Sequence, residues 1–249
     1  MLELKDVSVI FNEGSTLEKR ALDHVSIDIP EGQFVTILGS NGAGKSTFFN
    51  VITGAVSSTG GTIVLDGQDI TSQKEHVRSR QVGRLFQNPE HGTAPSLTVE
   101  ENLALSYSRS RGPFSRAIRK EEVELFRKKL AELDMGLEDR LKTPIGLLSG
   151  GQRQAVALMM AVLNPPKLLL LDEHTAALDP KSARKILEIT NELIRKEHMT
   201  ALMITHNMTD ALKNGDRLLI FNDGKITQDF SKEEKDRLKP ADLLEFYEV

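Results

Sequence analysis

A glycine-rich segment, Gly39–Thr47, has the spacing G-x-x-x-x-G-K-S, in which each residue type suits the binding of phosphate. Glycines allow backbone amides to curl around phosphate oxygens without a Cβ in the way. The amine of Lys45 can reach the β- and γ-phosphates, and the hydroxyl of Ser46 can ligate Mg²⁺. The residues expected to hold a nucleotide triphosphate are therefore Gly39, Ser40, Asn41, Gly42, Ala43, Gly44, Lys45, Ser46 and Thr47.

The alternative for this segment is a glycine-rich turn that binds nothing. The residues on either side favour the phosphate loop. Gln33–Leu38 is apolar and predicts a strand, and Lys45–Ile52 predicts a helix that ends near Gly54. A strand, a glycine loop and a helix in this order point the positive end of the helix at the bound anion.

Two acidic residues, Asp172 and Glu173, follow the apolar stretch Leu168–Leu171. Carboxylates at the end of a buried strand are costly unless they meet a cation or water. Asp172 is placed to hold Mg²⁺, through water, and Glu173 to polarise or orient an attacking water molecule. A solvated strand end that happens to be acidic is the alternative, but the phosphate loop upstream favours the catalytic interpretation.

A third segment, Leu148–Gln152, has the sequence Leu-Ser-Gly-Gly-Gln and precedes a predicted helix that runs to Leu163. A serine and exposed glycine amides at a helix start form a second anion-binding patch. One chain does not need two γ-phosphate cradles so far apart in sequence, so we expect this patch to serve the nucleotide of another subunit. A plain helix cap with a glycine turn is the alternative. The residues of this patch are Ser149, Gly150, Gly151 and Gln152.

With these three motifs in this order, the chain resembles the ATP-binding subunits of ABC transporters over essentially its whole length. The resemblance implies that Gln87 senses Mg²⁺ and the attacking water, and that His206 contacts the γ-phosphate. It also implies that Ala177-Leu178-Asp179 crosses a dimer interface and that Phe11 stacks on adenine. The resulting site comprises the catalytic residues Glu173, His206 and Gln87, the metal ligands Ser46, Gln87 and Asp172, and Asp179 beside the nucleotide of the partner.

Each of these further positions has a structural alternative. Gln87 can be a surface amide before Pro89, His206 can cap the helix that starts near Asn207, and Phe11 can be a core aromatic. The chain also departs from the family pattern, which usually has proline after the catalytic glutamate, where this sequence has His174. We expect a structural substitution there, with a pH-sensitive contact as the alternative.

Alternating strand and helix signals predict an α/β fold. The expected architecture is a P-loop NTPase core with a parallel sheet, an N-terminal antiparallel β-subdomain and an inserted helical subdomain. Leu2–Phe11 and the alternation from Val25 to Ile29 predict the antiparallel strands. Core strands are predicted at Val82–Gln87 and Ala201–Ile204, and Pro180 opens a helix that runs to about Lys196.

Helical spacing from Pro89 to Gly146, with little strand signal, indicates the inserted subdomain. We expect a single ABC ATPase domain over 1–249, with its core at 1–88 and 150–249 and the helical subdomain at about 89–149. Basic residues around Gly112-Pro113 are expected to form a solvated loop. The tail beyond a predicted hairpin at Leu218–Thr227 is polar and short.

Composition excludes several classes of function. The 249 residues carry a net charge of −4 and contain no cysteine. A nucleic-acid partner is therefore not expected, and disulfides, thiolate zinc sites and a cysteine nucleophile are excluded. No apolar run is long enough to span a bilayer. We expect a cytoplasmic protein that lies peripherally on the inner face of the cell membrane through a permease.

The resemblance implies a subunit that binds and hydrolyses ATP with Mg²⁺ and powers a membrane transporter. Its partners would be a second ATPase subunit, either an identical copy or a sister, and transmembrane permease subunits. Import of a small polar solute such as an amino acid, delivered by an extracytoplasmic solute-binding protein, is the expected process. The alternative is a soluble, non-transport ABC ATPase that acts on a macromolecular partner.

Overall fold

The computed structural model describes residues 1–107 and 118–246. The chain divides into two compact units, one formed by Met1–Val82 with His198–Val249 and the other by Gly83–Glu197. The basic loop predicted around Gly112-Pro113 lies outside the described residues. The subdomain limits predicted from the sequence remain a prediction.

An antiparallel sheet occupies the N-terminal part of the first unit. Its strands lie in the order β2-β1-β4-β5. Val25, Ile27 and Ile29 are buried, whereas the residues between them are exposed, which confirms the predicted alternation. The strand bounds are β1 Leu2–Phe11, β2 Lys19–Ile29, β4 Gly60–Leu65 and β5 Gln68–Asp69.

The first unit also contains strands of a second sheet, and three of them are parallel. The strand β3 (Phe34–Gly39) is fully buried and pairs in parallel with β8 (Thr200–Ile204) on one side and with β9 (Arg217–Asn222) on the other. The strand β10 (Lys225–Phe230) runs antiparallel to β9, as predicted for the terminal hairpin. The helices of this unit include α1 Lys45–Thr53, α2 Glu75–Arg78 and α7 Met208–Lys213.

The second unit is mainly helical. Its strands β6 (Val82–Leu85) and β7 (Leu168–Asp172) are hydrogen-bonded neighbours. Of the apolar residues that recur at helical spacing here, Phe126, Leu130 and Leu133 are buried and Val123 is partly buried, which agrees with the predicted helical character. The helices are α3 Val99–Tyr107, α4 Lys120–Ala131, α5 Gly150–Val162 and α6 Pro180–Lys196, and short 3₁₀ turns lie at Pro89–His91 and Ile145–Leu147.

The C-terminal tail is structured, although its composition identifies it only as polar. It contains α8 (Lys232–Lys235) and a 3₁₀ segment at Asp242–Phe246. The buried amine of Lys235 donates to the backbone carbonyl of Gly215 at 2.9 Å, and Leu243 is fully buried against the core of the first unit. The tail therefore belongs to the hydrophobic core.

Across residues 1–107 and 118–246, no helix combines the length and the apolar content needed to cross a bilayer.

Candidate nucleotide site

The phosphate loop between β3 and α1 adopts a backbone that requires glycine. Gly42 and Gly44 have φ values of 87° and 100°, in the left-handed region. A Cβ on Gly44 would lie 2.5 Å from the carbonyl oxygen of Ala21, and one on Gly39 would lie 2.3 Å from that of Phe221. The glycines of the motif therefore serve both the loop conformation and its close packing against β2 and β9.

The start of α1 is suited to an anion. In the part of the chain that the structure describes, no side chain caps this helix end and its first turn contains no acidic residue. Uncapped amides and the helix dipole therefore remain available to phosphate. The amine of Lys45 donates to the carbonyl oxygens of Gly39 at 2.7 Å and Ser40 at 2.8 Å, so it lies within the loop, and Ser46 is exposed.

The turn between β9 and β10 supports the same loop. The amide of Gly224 donates to the carbonyl of Ala43 at 3.0 Å. The sequence indicates a turn at Asp223-Gly224 but contains no signal that it contacts a loop about 180 residues upstream. Only the pairing of β3 with β9 brings the two together.

His206 leaves the sheet at the same edge as the phosphate loop. Ile204 of β8 lies opposite Ile37 of β3 in a parallel pair, so His206 and Gly39 each lie two residues beyond matched positions. The side chain of His206 is exposed. The alternative role as a helix cap is wrong, because Asn207 caps α7 and accepts hydrogen bonds from the amides of Thr209 and Asp210.

Phe11 ends β1 and is 39% exposed, so it is not a core aromatic. It pairs with Lys19 of β2, two residues before Ala21, whose carbonyl oxygen packs against Gly44. Its ring therefore lies on the strand pair that borders the phosphate loop. Stacking on adenine remains a prediction.

The acidic residues of the second unit come directly after four buried leucines of β7, as the sequence predicts. Asp172 is the last residue of β7, and its Oδ2 lies 2.6 Å from the guanidinium Nη2 of Arg84 on β6. Glu173 has a φ of 46°, a strained conformation of the kind that clusters at functional sites. Arg84 belongs to none of the sequence motifs, and its only signal in the sequence is a charge inside an otherwise apolar strand.

Gln87 is exposed and follows β6, which ends two residues earlier, at Leu85. The strand is shorter than predicted because the side chain of Gln154 donates to the carbonyl of Phe86 at 3.2 Å and takes the place of a strand partner. Exposure is compatible both with a surface amide and with a ligand to Mg²⁺, so the role of Gln87 remains a prediction.

The Leu-Ser-Gly-Gly-Gln segment is a capped helix start. The Ser149 hydroxyl accepts from the amide of Gln152 at 3.3 Å, and the Gln152 side chain accepts from the amide of Ser149, which forms a capping box. Ser149 and Gly150 are exposed, whereas Gly151 is buried. A helix cap and an anion-binding patch are therefore compatible at this segment, because the cap holds the exposed amides in place.

The segment Ala177-Leu178-Asp179 lies against this helix start. Gly150 faces the side chain of Leu178, and a Cβ on Gly151 would lie 2.8 Å from the hydroxyl of Ser182. Hydrogen bonds from Ser182 lower the pKa of Asp179, which caps α6. Two motifs that the resemblance assigns to a dimer interface are thus adjacent within one unit.

The side chains predicted to hold Mg²⁺ carry the hard oxygen donors that this ion prefers: the Ser46 hydroxyl, the Gln87 amide and the Asp172 carboxylate. The carboxylate of Asp172 is paired with the guanidinium of Arg84, so it already serves as a ligand to a cationic group. Among residues 1–107 and 118–246, no group of three or more His, Asp or Glu side chains is arranged to hold a metal ion. Mg²⁺ is generally bound through one or two carboxylates together with substrate phosphates, and the donors predicted here are of that kind.

His174 is buried, with only 1% of its surface exposed. The Thr190 hydroxyl donates to the carbonyl of Ile186 at 2.7 Å, so the Nε2–H of His174 donates to the Thr190 oxygen at 3.3 Å. Burial lowers the pKa of His174 to about 4. The imidazole is therefore neutral near pH 7 and fastens the segment after Glu173 to α6, in agreement with a structural substitution.

This burial predicts a stability that depends on pH. The pKa of a solvated histidine is about 6.5. Between this value and about 4, the unfolded chain binds the proton more readily than the folded one, so stability falls as pH falls through this window. At pH 5 we expect His174 to reduce the free energy of unfolding by about 2 kcal/mol relative to pH 7.5.

Urea unfolding of the wild type and of His174→Asn at both pH values, in EDTA and without nucleotide, measures this effect. The free-energy difference between the two proteins should change with pH, whereas His76→Asn, at an exposed histidine, should show no such change. A difference that stays constant between pH 7.5 and 5 would mean that the buried imidazole is not the titrating group.

Comparison with known proteins identifies one matching family and several relatives of similar sequence. A family model described as "ABC transporter" matches residues 22–176. The tyrosine transport ATP-binding protein of Clostridioides difficile (strain R20291) is 40% identical, and the match covers 100% of this chain and 99% of the relative. The energy-coupling factor transporter ATP-binding protein EcfA2 of Acetivibrio thermocellus is 33% identical, and the match covers 90% of this chain and 78% of the relative.

Among solved structures, a dimeric post-hydrolysis state of the ATP-binding cassette MJ0796, bound to ADP and Pi, resembles this chain with a TM-score of 0.80 and 29% identity. The match covers 93% of this chain and 99% of that cassette. The predicted α/β class, a P-loop core with parallel strands, an antiparallel sheet and helices, is confirmed.

Proposed function

Because this chain belongs to the ABC transporter family of ATP-binding proteins, we propose that it powers a membrane transporter that imports a small polar solute, such as an amino acid. The chain is an ATPase whose substrate is ATP with Mg²⁺. The proposal concerns what the hydrolysis drives, which residues carry it out and which partners are required.

In the proposed mechanism, the amides of Gly39–Thr47 and the amine of Lys45 hold the phosphates, while Phe11 stacks on the adenine. Ser46, Gln87 and Asp172 would hold Mg²⁺, which would supply positive charge beside the β- and γ-phosphates when bound. Glu173 orients and polarises the attacking water, and His206 donates a hydrogen bond to the γ-phosphate. The exposure of Ser46, Gln87 and His206 supports these assignments, because each side chain is accessible to a bound nucleotide.

The site is proposed to be completed by a second copy of the chain. Ser149, Gly150 and the segment up to Asp179 would bind the γ-phosphate of the neighbouring subunit and close two ATP molecules between two subunits. The capped start of α5 supports this, because Ser149 and Gly150 lie exposed at the positive end of the helix. The similar cassette bound to ADP and Pi is described as dimeric.

One observation carries the transport part of the proposal: the match to a tyrosine transport ATP-binding protein extends over the full length of both chains. A full-length match includes the helical region of the second unit, which is the proposed contact with a permease. We therefore propose a cytoplasmic protein attached to the inner face of the cell membrane by permease subunits, with an extracytoplasmic solute-binding protein that delivers the amino acid.

Purification from detergent-solubilised membranes of the native host tests this role. We expect the chain to copurify with a protein of several membrane spans, and reconstitution of that complex in liposomes to increase phosphate release. Purification with a soluble macromolecular complex instead, and no membrane protein, would support a non-transport ATPase. If neither the membrane complex nor the soluble complex released phosphate, the chain would instead be a nucleotide-dependent scaffold.

Uptake by whole cells tests the cargo. A strain that lacks the gene should lose uptake of one radiolabelled amino acid, and wild-type protein should restore it. Protein with Glu173→Gln should not restore it, although it is present in equal amount. Unchanged uptake of all amino acids in the deletion strain would exclude this cargo class.

A further inference from the structure

The charged residue Arg84 lies inside β6, three positions before Gln87, and no motif assigns it a role. Its guanidinium Nη2 is 2.6 Å from Oδ2 of Asp172, and both side chains are only 16% exposed. The same guanidinium lies over the ring of Phe86, at 4.8 Å from the ring centroid. Two independent contacts therefore hold Arg84 against the carboxylate at the end of β7.

The contact with Asp172 is a strong, charge-assisted hydrogen bond. Bonds between arginine and a carboxylate are short and about twice as strong as neutral ones. Partial burial reduces screening by water and salt. The cation–π contact with Phe86 limits the movement of the guanidinium away from this position.

The same carboxylate is the proposed ligand of Mg²⁺. A guanidinium and a divalent cation compete for its oxygens, and each raises the electrostatic cost of bringing the other near. A cation that is built into the chain thus neutralises Asp172 whenever the nucleotide is absent. It also avoids a half-buried, unpaired carboxylate, which would otherwise destabilise the end of β7.

We propose that Arg84 is a positioning residue that holds Asp172 until Mg²⁺ arrives with ATP, and that competition between the two cations sets the Mg²⁺ requirement of the site. This inference rests on the proposed role of Asp172 as a metal ligand. A consequence is that Mg²⁺ alone binds poorly at Asp172. Mg²⁺ binds well at Asp172 only when the phosphates of ATP supply further ligands.

The test measures binding without turnover. The dissociation constant of a fluorescent, non-hydrolysable ATP analogue is determined in EDTA and at increasing Mg²⁺, and the Mg²⁺ concentration at half-maximal enhancement is compared between variants. Arg84→Met removes the charge, and Arg84→Gln removes it but can still donate a hydrogen bond to Asp172, which protects folding. For both variants we expect the required Mg²⁺ concentration to fall by about fivefold.

Two controls isolate the charge. Arg84→Lys keeps a cation beside Asp172 but loses the planar group that lies over Phe86, so it should lower the Mg²⁺ requirement less than Arg84→Gln does. Arg140→Gln alters an exposed arginine of the same unit and should leave the Mg²⁺ requirement unchanged. A Mg²⁺ requirement in Arg84→Gln that is equal to or higher than that of the wild type overturns the inference.

A third variant separates this inference from the assignment on which it rests. Asp172→Asn should raise the Mg²⁺ requirement, and adding Arg84→Gln to it should produce no further fall. If Asp172→Asn leaves the requirement unchanged, the metal-ligand assignment is wrong. If Asp172→Asn raises it but Arg84→Gln does not lower it, the assignment stands and the competition does not exist.

Discussion

Replacing Glu173 with glutamine should leave ATP binding unchanged and slow hydrolysis by about 100-fold or more, because the amide keeps the size of the carboxylate but cannot polarise water as a base. The position supports a chemical rather than a packing role. Glu173 directly follows β7, is only partly buried itself, and has the left-handed backbone conformation described above. Phosphate release and equilibrium binding of a fluorescent ATP analogue measure the two properties separately.

The same variant should accumulate a long-lived dimer with ATP, since closure is proposed to require ATP and reopening its hydrolysis. Light scattering coupled to gel filtration detects this species. Glu188→Gln, at an exposed glutamate on α6, is the matched control and should behave as the wild type. Unchanged turnover in Glu173→Gln would exclude Glu173 as the residue that activates water.

Replacing Ser149 with arginine should abolish the ATP-dependent dimer but spare nucleotide binding by the monomer. The exposed hydroxyl caps α5 in front of the glycine amides. An arginine there fills the space in which the phosphate of the neighbouring subunit is proposed to lie. The variant is best made together with Glu173→Gln, because slow hydrolysis then cannot be mistaken for failure to dimerise.

Ser149→Arg also removes the cap of α5, and the loss of a cap costs about 1 kcal/mol of helix stability. A second variant is therefore needed to control for this loss. Ser231 forms the same kind of capping box at the start of α8, in the other unit of the chain. Ser231→Arg should therefore lose a comparable cap and still dimerise. A dimer of normal size and lifetime in Ser149→Arg would show that this segment does not act in trans.

Local elements could be predicted well where the sequence itself contains the start and stop signals. The helix Pro180–Lys196 was predicted with its observed bounds, because Asp179 supplies a cap, Pro180 suits a first helical position and the apolar residues recur at helical spacing. The phosphate loop was equally clear, since the conformations at Gly42 and Gly44 depend on residue type.

Prediction from the sequence was less complete where contacts with a distant part of the chain determine the local structure. The strand β6 ends two residues early because Gln154, 68 positions downstream, takes the carbonyl of Phe86. His174 is neutral near pH 7 because burial by the folded chain lowers its pKa to about 4. The tail packs against the core through Leu243, which the sequence does not distinguish from its exposed neighbour Leu244.

The sequence by itself determined the chemistry of this protein, since phosphate-binding glycines, a lysine and an acidic pair are recognisable from residue type and short spacing. Only the tertiary structure decided which residues from distant parts of the chain contact one another. Arg84 reaches Asp172 across 88 positions, and Gly39 and Gly44 face Phe221 and Ala21 on other strands. Such contacts depend on strand order and register, which arise from burial of the whole core and are not encoded in any short segment.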